Sequence, residues 1–115
     1  MNSAFLEGIA PAIKDTGYTP FKVNETESNN QITDDIVAGI RRSKFMVADV
    51  TKHRTAVYYE AGLMHGLGRP VIFTCKENEL GDASFDTNHY PHITWKTPTD
   101  LKEKLIKRIQ ATITD

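Results

Sequence analysis

The chain carries a single cysteine, Cys75, so it can form no internal disulfide and no multi-cysteine zinc site. It has no apolar run near the roughly 18–20 residues that a membrane-spanning helix requires. It also has no excess of basic charge. Fourteen Lys and Arg stand against fifteen Asp and Glu, for a net charge of −1. That balance argues against a nucleic-acid or membrane-surface binder working through bulk charge. The stretch MNSAFLEGIAPAIKD lacks the basic and apolar regions of a secretion signal. Low-complexity tracts, internal repeats and linkers are missing as well. These absences lead to the expectation of a soluble, cytoplasmic chain with one domain over residues 1–115, and neither a nucleic-acid nor a membrane partner. Hydrophobic residues at 39% and charged residues at 25% are the balance of a globular core rather than of a disordered chain.

What is present is an alternation of amphipathic and apolar segments. Phe5, Leu6, Ile9, Ala12 and Ile13 recur at helical spacing over residues 3–16, with Gly17 as a stop and Pro11 predicting a kink or a late start. Residues 18–23 read as a weak strand. Ile32, Ile36, Val37 and Ile40 form the stripe of a second helix, with Asp34 and Asp35 near its start and Arg41 and Arg42 near its end, as the helix dipole favours. The apolar runs 45–50 and 70–74 suit buried strands of one parallel sheet, and 55–67 between them reads as a helix closed by Gly68 and Pro70. A polar connection over 76–91 leads to a short strand at 92–95. Thr97-Pro-Thr-Asp100 then resembles a capping box, opening a helix with Leu101, Leu105, Ile109 and Ile113 on one stripe. This rhythm predicts an α/β fold of three layers, a parallel sheet with helices on both faces.

Asp49 falls at the carboxyl end of a predicted parallel strand, where open α/β sheets bind ligands. It is read either as a ligand contact or as a cap on the following loop, which holds Thr51 and His53. Between Thr55 and Gly68 the only formally charged residue is Glu60. It lies three residues after Val57 and four before Met64, so it shares their apolar face. A carboxylate there loses solvation, at a cost of several kcal/mol unless it is paired. The same helix is apolar almost all round, with Tyr58, Tyr59, Leu63 and Met64 on several sides, which predicts a homodimer or larger assembly burying it.

The four histidines make no HExxH pair, and the GxGxxG and P-loop patterns are missing, so no metal and no cofactor is expected. Cys75 reads as a small buried apolar residue, and the lysines of the last helix as a solvated face.

Ala48-Asp-Val-Thr51, Ala56-Val-Tyr-Tyr-Glu-Ala-Gly62 and His65-Gly-Leu-Gly-Arg-Pro-Val-Ile72 together resemble the nucleoside 2-deoxyribosyltransferase-like superfamily, in particular its TIR-like nucleotide-binding branch. Phe85-Asp-Thr-Asn-His-Tyr90 followed by Ile93-Thr-Trp95 resembles the segment that precedes that branch's last strand. The resemblance implies a flavodoxin-like sheet, here without a counterpart of the family's first strand. It implies that Glu60 serves as nucleophile or as stabiliser of an oxocarbenium-like state during N-glycosidic bond cleavage or (deoxy)ribosyl transfer. Asp49, Thr51, His53 and Tyr59 would contact the substrate, which is a nucleoside, a nucleotide or NAD. Ala56 stands where the family carries Asn. The rival reading is a catalytically incomplete TIR-like module that binds a nucleotide or a protein.

Overall fold

The computed structural model describes residues 4–22, 34–51, 55–77 and 92–113. The chain opens with a π-helical stretch, Ala4–Ile9, that runs into α1, Ala10–Asp15. Pro11 stands in the first turn of α1. Its ring crowds the carbonyl of the preceding turn and it offers no N–H, so a wider turn before it relieves the clash. The expected kink or late start takes another form: the backbone is helical from Ala4 onward and changes from π to α winding ahead of Pro11. Gly17 ends α1 at φ +95°, with the Tyr18 amide donating to Ile13 O at 3.0 Å. With the Gly17 amide on Lys14 O at 3.0 Å, that pairing is a Schellman ending, which the positive φ of glycine permits.

Residues 18–22 do not form the expected strand. Pro20 removes a ladder donor and restrains the residue before it. The aromatic residues of this stretch act through their rings instead. Tyr18 meets Phe45 edge-on at 5.2 Å, with the Lys44 ammonium over its ring at 5.6 Å, and the Phe21 ring lies where a Cβ on Gly39 would stand.

The helix α2, Asp34–Arg42, buries Ile36 and Ile40 and keeps its acidic start and basic end in solvent. Arg69 closes its carboxyl end, donating from Nη1 to Arg41 O and, at 3.0 Å, to Ser43 O. A guanidinium there satisfies carbonyls that the helix leaves open. Three strands follow: β1, Met46–Asp49; β2, Val71–Lys76; and β3, His92–Trp95. They form one parallel sheet in the order β1-β2-β3, with Ala48 opposite Phe73 and Phe73 opposite His92. Between β1 and β2 lies α3, Thr55–Gly66, and after β3 comes α4, Pro98–Thr112. An amide from Arg69 to Met64 O (3.1 Å) and one from Gly68 to His65 O (2.9 Å) close α3, with Gly68 at φ +74°. The parallel pairing of 46–49 with 71–74 is the arrangement anticipated from the two apolar runs.

Alternation along the strands sorts the core into two layers. On one face Ile72, Ile93 and Trp95 pack with Leu101, Leu105 and Ile109 of α4 and Ala12 of α1. On the other, Ala48, Phe73 and Cys75 pack with Ala61 of α3, and Met64 joins Ile36 and Ile40 of α2. The fold is therefore α/β, a parallel sheet flanked by helices on both faces, consistent with a flavodoxin-like arrangement. Gly8 brings the first helical segment onto α4, since a Cβ there would stand 3.0 Å from Pro98 O. Among the described residues no helix is long and apolar enough to cross a membrane.

Half of the anticipated capping box of α4 forms at Thr97, and the return bond from Asp100 goes to the residue before the N-cap. The Asp100 amide donates to Thr97 Oγ1 at 3.1 Å, and Asp100 Oδ2 accepts from the Lys96 amide at 2.9 Å. Thr97→Ala should cost about 1 kcal/mol, because the orphan amide loses its acceptor. A denaturant titration beside the wild type measures it. The Lys96 amide bond, helped by the Lys104 ammonium, holds the Asp100 carboxyl below its usual range. Its contribution is therefore present at neutral pH and is lost as pH falls through the depressed folded-state value. Asp100→Asn should accordingly approach the wild type in relative stability only in acid, whereas the Thr97→Ala deficit, which involves no titrating group, should persist across pH.

Candidate functional site at the carboxyl edge of the sheet

Three apolar residues of β1 end in a carboxylate because the strand leaves the core there. Asp49 is half-buried, and three donors converge on it. Oδ2 accepts from the Thr74 hydroxyl at 2.6 Å and from the Trp95 indole N–H at 3.0 Å. Oδ1 accepts from the Thr51 amide at 3.1 Å. The donors come from the ends of all three strands or just beyond them. The register explains the meeting: Asp49 stands opposite Thr74, while Trp95, two residues further along, stands opposite Lys76. Asp49, Thr74 and Trp95 leave the same face of the pleat. Thr51 is buried beside them, and its hydroxyl accepts from the Lys76 amide at 2.9 Å. The Val50 amide donates to Thr74 O at 2.9 Å, extending the pairing past the strand.

Charge-assisted bonds of this kind are short and roughly twice as strong as neutral ones. The 2.6 Å hydroxyl contact belongs to that class. The Thr51 bond is the cap on the next loop, one of the two readings of Asp49. The other, a ligand contact, rests on its place at a strand end, where open α/β sheets bind ligands.

Glu60 lies elsewhere. It is 5% exposed on α3, within the stripe that includes Ala61 and Met64, both buried, and the half-buried Val57. That stripe faces the sheet from the side of Ala48 and Phe73, whereas Asp49 leaves the side of Trp95. The structure thus groups Asp49 with Thr51 and sets Glu60 on the opposite face. Tyr59, next to Glu60 but about 100° further round the helix, is 67% exposed. His53 lies outside the described residues.

Sequence reasoning missed Thr74 and Trp95. Thr74 is the polar residue inside the run Val-Ile-Phe-Thr-Cys, and it is fully buried. A hydroxyl in such a place needs a partner, and that was a signal available before the register was known. Cys75 is buried among Ala48, Val50 and Phe73, as its apolar surroundings suggested. His65 and His92 flank the Phe73 ring at 6.2 and 5.6 Å. Among the described residues no group of three His, Cys, Asp or Glu is placed to hold a metal ion.

No protein-family model matches the chain, and no curated protein or solved structure matches it either.

Proposed function

We propose that the chain belongs to the nucleoside 2-deoxyribosyltransferase-like superfamily and cleaves or exchanges an N-glycosidic bond of a nucleoside, a nucleotide or NAD. The observation that carries this reading is Glu60. It is the only formally charged residue between Thr55 and Gly68, and it is buried in the helix that follows the carboxyl end of β1. A buried carboxylate is costly, and a well-packed apolar residue of similar volume is often neutral or stabilising in its place. An oxocarbenium-like state at a sugar carbon is the chemistry that makes use of a desolvated carboxylate. Asp49 and Thr51 would supply acceptors for sugar or base groups on the other face of the sheet, so one ligand has to cross the carboxyl edge to meet them and Glu60. The test is to incubate the protein with a panel of nucleosides, nucleotides and NAD and follow free base by chromatography. Release from at least one member is the expected result, and none from any member counts against the enzyme.

One observation favours the second reading, a nucleotide- or protein-binding module without catalysis. At 5% exposure Glu60 leaves little surface for a sugar carbon to approach. Thermal stabilisation by a nucleotide without base release would decide for it.

The assembly state is part of the proposal. Tyr59, Leu63 and Leu67 are exposed along α3 and the turn after it, and the Cβ positions of Gly62 and Gly66 beside them face open space. A face of this kind carries no formal charge to desolvate and suits packing against its symmetry mate. Light scattering should give a dimer or larger species at micromolar concentration, and Leu63→Glu should shift it toward monomer.

A further inference from the structure

We propose that Trp95 and Thr74 are positioning residues that hold Asp49 in one rotamer and leave its Oδ1 able to take a hydroxyl of a sugar-bearing ligand. This rests on the reading of the strand ends as the ligand side, and it names the atom there that would meet the sugar.

The argument begins with counting lone pairs. A carboxylate offers about four acceptor sites, two on each oxygen. Oδ2 is filled by the Thr74 hydroxyl and the Trp95 indole. Oδ1 takes only the Thr51 amide among the described residues, which leaves it one site. The carboxylate is thus anchored by one oxygen and open at the other. Two side-chain donors from different strands fix its χ angles more tightly than the Thr51 cap alone, because each strand is itself held in the ladder.

Stability alone does not call for this arrangement. Thr74 is fully buried in an apolar strand and Trp95 belongs to the core beside α4. Valine and phenylalanine would pack in those places without a polar atom to satisfy. The two donors meet at the carboxyl ends of parallel strands, the edge at which open α/β sheets receive ligands. Trp95 is, moreover, the sole tryptophan of the chain, so its indole N–H reports directly on the Asp49 oxygen it holds.

The experiment follows that indole resonance in the ¹⁵N-labelled chain while adenosine, AMP or NAD is added, and measures each dissociation constant by titration calorimetry, which serves the Trp95→Phe chain as well. At least one of these ligands should shift the indole N–H. Trp95→Phe and Thr74→Val should each weaken its binding roughly tenfold, the scale of one lost bond to a charged group. Thr74→Ser should restore affinity, since it returns the hydroxyl. Thermal melts separate positioning from folding, and Thr74→Val serves if Trp95→Phe fails to fold. A ligand that binds or is cleaved with unchanged affinity in both variants overturns the positioning role and leaves the glycosidase reading standing. Binding that depends on Trp95 without release of base supports the positioning role and moves the function to a binding module. Failure of all three ligands to bind overturns the proposal.

Discussion

Replacing Glu60 by glutamine should abolish base release while leaving the fold in place, lowering the rate by about 10²–10³-fold or more. Glutamine matches the carboxylate in size and shape, so the buried stripe of Val57, Ala61 and Met64 keeps its packing. What it loses is the negative charge. If that charge matters mainly when the sugar carbon becomes cationic, kcat falls and ligand affinity changes little, because the ground state carries no such charge. Steady-state kinetics on whichever substrate the panel identifies, with circular dichroism and a thermal melt alongside, separates the terms. Full activity in Glu60→Gln would remove the residue from the chemistry. A large drop in melting temperature with no specific loss in kcat would make it a structural residue of the α3 layer.

The same residue shows how far the sequence could be read. Burial of Glu60 follows from helical spacing alone, since a residue three after Val57 and four before Met64 must share their face. The parallel pairing of β1 and β2 was legible because both runs are apolar, short and separated by a helix-length segment. The ends of elements announced by local chemistry were legible too: Thr97 and Asp100 at the start of α4, Gly68 at the end of α3. What escaped was set by register. Nothing local to Trp95 says that its indole reaches Asp49, 46 residues away. That contact needs the β2–β3 offset that places Phe73 opposite His92. The extension of β2 through Cys75 to Lys76 is of the same kind, for Cys75 stands opposite Thr94 and Lys76 opposite Trp95. The weak strand expected over 18–23 is missing from the described residues 18–22 for a local reason visible in the sequence, the proline at position 20. Tyr59 enters the site only through the family resemblance, and adjacent residues on a helix point about 100° apart, so it need not share the direction of Glu60. Its ring is on the solvent side.

The largest effect on stability is expected at Leu105. It is fully buried and stands in the stripe of Leu101, Leu105 and Ile109 that faces Ile72, Ile93 and Trp95. Leu105→Ala removes three carbons from a layer that the sheet and the helix α1 close from both sides, so collapse around the gap is restricted. Such truncations cost about 2–5 kcal/mol, a large share of the roughly 5–15 kcal/mol that holds a domain together. Leu105→Met keeps the volume and should cost less than about 1.5 kcal/mol. Leu6→Ala makes the same chemical change as Leu105→Ala at a residue 65% exposed and should lie near zero. Urea titrations followed by tryptophan fluorescence measure all three, because Trp95 sits in the layer being perturbed. The midpoint should fall for Leu105→Ala with an unchanged slope, the signature of lost stability rather than of an altered denatured state. A loss as small as that of Leu6→Ala would mean that α4 does not form the core layer assigned to it. Since the layer beneath Leu105 includes Trp95, a folded Leu105→Ala chain also offers a way to loosen the hold on Asp49 without touching a polar group. Its indole resonance should then broaden or shift while that of Leu6→Ala stays at the wild-type position.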